Sequence, residues 1–216
     1  MAFDKTLFEK NFDFYFKATV ANNIRIATQA FEMFMAENSD FLSDADELRG
    51  RLLAHSVKHQ FLKSVSKTAS CFLVSGQDVN SYKTNAVFLN TPDYITSICR
   101  TDKPQKLPCK AKYKQQLALG NKEDELQLEF IPFSGANELQ TALPKKYALL
   151  TYCYKNSELR HLNIVVPDWR FQSIIYSDNL LKQITTLYNY VPEEIVEESV
   201  VSLKKELIQT INKKIL

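Results

Sequence analysis

Glycine is scarce: the 216-residue chain holds 4, with 7 prolines. Flexible linkers are rich in Gly and Ser, so a string of tethered modules is not expected. The same scarcity removes the glycine loops that cradle phosphates. Gly50, Gly76, Gly120 and Gly135 stand alone, and neither GxxxxGK[ST] nor GxGxxG occurs. The GxSxG nucleophile elbow is also missing.

Cysteine is sparse and scattered. Cys71, Cys99, Cys109 and Cys153 form no CxxC pair, which argues against a structural zinc site and against a thioredoxin-type dithiol. Their apolar surroundings suit free thiols in a reducing compartment. Charge of one sign is not in excess: 27 basic and 25 acidic residues leave +2. No whole-molecule field draws in a polyanion, so a nucleic-acid site must be a local patch. No apolar run reaches the ~18 residues of a membrane span. The opening MAFDKTLFEKNFDF lacks the basic and apolar regions of a secretory signal. A cytoplasmic protein without membrane contact is the expectation.

Aromatic residues are plentiful, with 14 Phe and 10 Tyr. They suit a Phe-rich core with Tyr at its margins. A chain of this length hides roughly 70% of its unfolded surface, enough for a core without staples.

The first segment reads as helix from Lys5 to Glu37. Asp4 is an N-cap, and Phe3 and Phe8 are placed for a hydrophobic staple. Phe8, Phe12, Phe16, Val20, Ile24, Ala27, Phe31 and Met35 recur at helical steps. Asn22-Asn23 is the expected break, since Asn favours caps. A second helix runs over 43–68, capped by Ser43, with Leu48, Leu52, His55, Val57, Phe61, Leu62 and Val65 as its stripe. From residue 70 the period becomes two. Strands are expected at Cys71–Ser75, Asn85–Asn90 and Tyr94–Cys99, and a loop at Thr101–Pro108.

Two hairpins follow. In the first, CKAKYKQQLAL pairs with DELQLEFIPF across Gly120–Glu123, which puts Tyr113, Leu117, Leu126 and Phe130 on one side. In the second, KKYALLTYCY pairs with LRHLNIVV across KNSE, and its first strand, apolar on both faces, belongs at the sheet centre. A four-residue loop there sets Cys153 against Leu159–Arg160 and His161 against Tyr152. Asp178 caps a short helix over Asn179–Tyr190. A final helix starts at Pro192, with Val196, Val200, Leu203, Leu207 and Ile211 as its apolar stripe.

Few constellations carry chemistry. Lys110, Lys112 and Lys114 alternate along the first hairpin, so they share a face. With the loop lysines Lys103 and Lys106 they would form a strip for nucleic-acid phosphates. Opposite them the expected register sets Glu125, Gln127 and Glu129, which would neutralise the strip. His55 and His59, four apart on a helix, have the spacing of two metal ligands, but no third ligand is evident. Asp93, Glu125 and Gln127 echo the carboxylates with which restriction-enzyme-like nucleases hold a divalent metal, with Gln127 where lysine is usual. Cys153 and His161 lie on adjacent strands, and a buried structural thiol is the simpler explanation.

The expected fold is therefore one α+β domain over 1–216, helical at 1–68 and 178–216 and β-rich at 70–167. It has long N-terminal helices, a mostly antiparallel sheet of about six strands and two C-terminal helices. The expected function is non-catalytic binding of a protein or nucleic-acid partner, without cofactor. The alternative is a metal-dependent nuclease using Asp93, Glu125 and Gln127. The C-terminal helix is a candidate homodimer surface.

Overall fold

The computed structural model describes residues 3–39, 46–64, 72–80, 85–122, 145–183, 200–202 and 204–205. Helix α1 spans Lys5–Asn11 and α2 spans Phe14–Glu37. The Asp4 carboxylate accepts from the Leu7 N–H at 2.9 Å, and Phe3 packs on Phe8 with ring centroids 5.6 Å apart, completing the expected cap and staple. The break falls at Phe12–Asp13, not at Asn22-Asn23. Asp13 is a second N-cap, accepting from the Phe16 N–H at 2.8 Å. Asn23 stays inside α2 because its amide is satisfied there. It donates to the Thr19 carbonyl at 3.0 Å and accepts from Gln60 at 3.1 Å.

Helix α3, Asp46–Ser64, provides Gln60. Ser43 and residues 65–68 lie outside the described residues. The buried face of α3 is Leu53, Ser56, Val57, Gln60 and Phe61, while Leu48 and Leu62 are 46% and 42% exposed. The face is rotated from the expected stripe by polar seam bonds. Ser56 donates to the Ala27 carbonyl at 2.8 Å and Gln60 reaches Asn23. Polar groups that find partners can be buried, and apolar ones are displaced outward.

Among the described residues six strands form one mixed sheet in the order of the chain: β1 Leu73–Asp78, β2 Asn85–Asn90, β3 Tyr94–Arg100, β4 Lys146–Lys155, β5 Glu158–Pro167 and β6 Ile174–Asn179. All neighbours are antiparallel except β3 and β4. The first expected hairpin is not formed as such. Within its first arm, Lys112–Ala118 is helix α4, followed by a 3₁₀ turn at Leu119–Asn121. The second arm, 124–133, lies outside the described residues. The physical reason is ambiguity of period. Tyr113 and Leu117 are four apart, which suits a helix as well as a strand face, and Lys, Gln, Leu and Ala are all good helix formers. Lys112 and Lys114 are therefore helical i,i+2 neighbours and no longer share a strand face with Lys110.

The second hairpin is formed by β4 and β5, with a shorter loop than expected. Asn156 and Ser157 have φ of 54° and 56°, the two left-handed residues of a type I′ turn. A bulge between Cys153 and Tyr154 then brings Cys153 opposite His161 and Tyr152 opposite Leu162. From Tyr147 to Cys153, β4 is buried on both faces, as a central strand must be.

One sheet face, including Leu89, Tyr94, Leu150, Tyr152 and Ile164, packs under Phe8, Phe12, Phe16 and the buried sides of α2 and α3. The other, including Cys99, Tyr147, Leu149 and Val165, is covered by Leu107, Leu117, Ala118 and Phe171. The Asp178 carboxylate pairs with Lys17 at 2.7 Å, and Asn179 accepts from the Lys182 N–H at 3.3 Å at the start of α5, Leu180–Gln183. Residues 184–190 lie outside the described residues. In the final helix, 200–202 and 204–205 are described. Val200 is buried against Ala30 and Met33 of α2, and Lys204 pairs with Glu37. Val196, Leu207 and Ile211 lie outside the described residues. Among the described residues no helix is long and apolar enough to cross a membrane.

Candidate nucleic-acid interface

The ladder between β2 and β3 is short. It runs from Asn90↔Ile95 to Phe88↔Ser97 and stops. Beyond that point Asn85–Val87 stay with β1, and Ile98–Arg100 stay with β4. The two strands fork, and a cavity of about 690 Å³ occupies the fork. Lys58 enters it from α3, and its ammonium donates to the Asn85 carbonyl at 2.7 Å. Cys109, Lys112, Tyr113 and Lys114 enter from α4 and its approach, on the opposite sheet face. Arg100 closes the end of β3. Its guanidinium lies against Gly50 of α3, where an added Cβ would come within 2.7 Å of Nη1.

The described lining holds four cations, Lys58, Arg100, Lys112 and Lys114, and no carboxylate. Lys114 is only 8% exposed. Its ammonium donates to the Cys109 carbonyl at 3.2 Å and lies 5.8 Å from the Tyr113 ring centre. A buried cation without a counter-charge loses several kcal/mol of hydration. Burial lowers the pKa of Lys58, opposed by the Cys99 thiol. Burial raises the Tyr113 phenol well above its usual value, with Cys99 adding to the shift, so the ring keeps its hydroxyl proton as a donor. The Tyr113 ring meets Phe88 edge-on, with centroids 6.1 Å apart.

No family model, no curated protein and no solved structure matches the chain. The five expected lysines fall into separate places. Lys112 and Lys114 line the cavity, and Lys110 is exposed beside it in sequence. Lys103 and Lys106 are exposed on the intervening loop, closed by a 3.2 Å bond from the Lys106 N–H to the Lys103 carbonyl. The loop reaches across to β5, where Asn163 donates to the Pro104 carbonyl at 3.2 Å. Sequence reasoning missed Lys58 and Arg100. No local motif marks them, because the fork that unites them joins residues about forty apart.

The other expected residues are placed elsewhere. Asp93 forms a reciprocal pair with Asn11 of α1. Its carboxylate accepts from the Asn11 amide at 2.8 Å, and its N–H donates to the Asn11 oxygen at 3.0 Å. That carboxylate ties α1 to the entry of β3. Glu125 and Gln127 lie outside the described residues. His59 pairs with the Ser202 hydroxyl at 2.9 Å, four residues along α3 from His55. Among the described residues no three His, Cys, Asp or Glu side chains gather as a metal site.

Cys153 and His161 are direct cross-strand partners on the face away from α1–α3, both buried. His161 Nε2 lies 2.9 Å from the Thr101 hydroxyl. Burial lowers the His161 pKa below 6.5, with Asp102 opposing. The unfolded chain then binds more protons between the lowered value and 6.5, so stability is full above 6.5 and falls as pH drops through that window. Urea denaturation at about pH 7.5 and 5 should show this loss, and His161→Gln should show a smaller one. An equal loss in both proteins would remove His161 as its source.

Proposed function

We propose that this protein is a non-catalytic binding protein that takes up a single nucleic-acid strand at the basic β2–β3 fork. The observation that carries the reading is the gathering of Lys58, Arg100, Lys112 and Lys114 around one cavity with no carboxylate in its described lining. The hairpin register that would have neutralised Lys112 and Lys114 is absent, because both stand on α4. Lys103, Lys106 and Lys110 are exposed on the stretch that leads to α4, which also carries the exposed Asp102, and Tyr113 supplies an aromatic ring among the lining cations. A strand offers both phosphates for the cations and bases for the ring. Near-neutral overall charge makes the binding local and strongly salt-dependent.

The test is fluorescence anisotropy with a labelled RNA or DNA strand of about twenty nucleotides. Four phosphate contacts predict a log–log salt slope of about −3 for a single strand. Joint reversal of the exposed Lys106, Lys110 and Lys112 to Glu should weaken binding about a hundredfold without unfolding the chain. The strand should be recovered intact after incubation with Mg²⁺. No saturable binding at low salt, or capture of an acidic protein and no strand, would overturn the proposal. Mg²⁺-dependent cleavage abolished by Glu125→Ala would transfer the assignment to a nuclease.

A further inference from the structure

The geometry of the fork points to a more definite ligand: we infer that the cavity receives a nucleoside phosphate monoester, whether a free mononucleotide or the phosphorylated end of a strand. The strand-end form rests on the strand-binding reading above, while the free-nucleotide form stands without it.

Three observations carry this. The first is size. About 690 Å³ lies in the range of small-molecule sites and suits one nucleotide unit. The second is how the cations are arranged. Lys58 comes from α3 on one face of the sheet and Lys114 from α4 on the other, and they enter one space between two diverging strands. Convergence of that kind differs from a row along a groove. An internal phosphodiester carries a single negative charge, whereas a terminal monoester carries close to two at neutral pH. The third is the state of Lys114. It is buried, and among the described residues its ammonium donates to a neutral carbonyl, that of Cys109. A buried ammonium is held at much lower cost where an anion is brought to it. Tyr113, in the same lining and braced by Phe88, offers a ring for the base or sugar.

The experiment compares one short oligonucleotide with a 5′-phosphate and the same oligonucleotide with a 5′-hydroxyl, alongside free 5′-AMP and adenosine. Wild-type protein should bind the 5′-phosphate form about tenfold or more tightly than the 5′-hydroxyl form. AMP should compete for that site and adenosine should not. Lys114→Gln should erase the difference between the two oligonucleotides and also weaken the binding of both, since Lys114 is one of the four lining cations. Arg100→Gln, at an exposed position, supplies the same reading if Lys114→Gln fails to fold. Equal affinity for the two oligonucleotides, with no competition by AMP, would overturn the inference and leave strand binding standing. Binding of AMP with no binding of either oligonucleotide would uphold the pocket and overturn the strand-binding function.

Discussion

Phe12→Ala is expected to lower the unfolding free energy by about 3–5 kcal/mol. Phe12 is fully buried at the corner where α1 ends and α2 is about to begin. Its ring lies 4.6 Å from Phe8, 4.9 Å from Phe16 and 4.9 Å from Tyr94. It therefore joins both helices to the first residue of β3. Truncation removes the transfer energy of the ring and leaves a cavity that two helices and a strand cannot close together. The aromatic pairs add about 0.5–1.5 kcal/mol each beyond their area. Phe14, two residues on and 59% exposed, is the control: Phe14→Ala should change stability by less than about 0.5 kcal/mol. Urea denaturation of both variants measures the contrast. A loss below about 1 kcal/mol for Phe12→Ala would mean that the corner is not part of the cooperative core.

Asn121→Ala should cost about 2–4 kcal/mol, because one amide makes three bonds to backbone. Asn121 follows α4 and clamps the sheet beneath it. It donates to the Tyr147 carbonyl at 3.0 Å and to the Pro167 carbonyl at 2.8 Å, and it accepts from the Tyr147 N–H at 2.7 Å. The clamp thus spans the start of β4 and the end of β5. Gly120 makes the approach possible, since a Cβ there would collide with the Lys145 carbonyl oxygen. Ala at 121 leaves those backbone groups without their partner. The same loss should loosen α4, which carries Tyr113 and Lys114, and so weaken the nucleotide binding proposed for the fork without touching the cavity lining. Hydrogen exchange at the Tyr147 amide, read beside denaturation, tests the link. An unchanged Tyr147 amide would break it.

Much of the first helices could be read in the chain. The Asp4 cap and the Phe3–Phe8 staple are local, and the residues concerned lie within one helical turn of each other. Asn22-Asn23 misled because the partner that keeps Asn23 helical is Gln60, on another helix. The α3 stripe misled for the same reason: Ser56 is buried by a bond to Ala27, which nothing near Ser56 announces. The β4–β5 hairpin was legible from its alternation, but its register turned on a two-residue turn and a bulge. Of the candidate site, Lys112 and Lys114 were singled out on the wrong element, and Lys58 and Arg100 were not singled out at all.

By itself the sequence determined the α+β class, the Asp4 cap, and β2, β3 and β4 as strands. Each of these depends on forces between residues a few positions apart. Only the tertiary structure decided that Lys112–Ala118 is helical, that β3 lies parallel to β4, and that β2 and β3 part to leave a basic cavity. The reason is physical. A seven-residue segment with good helix formers and a mixed apolar period has no strong preference of its own, so the face it packs against chooses for it. A cavity is a property of strands that fail to pair, and nothing in a single strand records that failure.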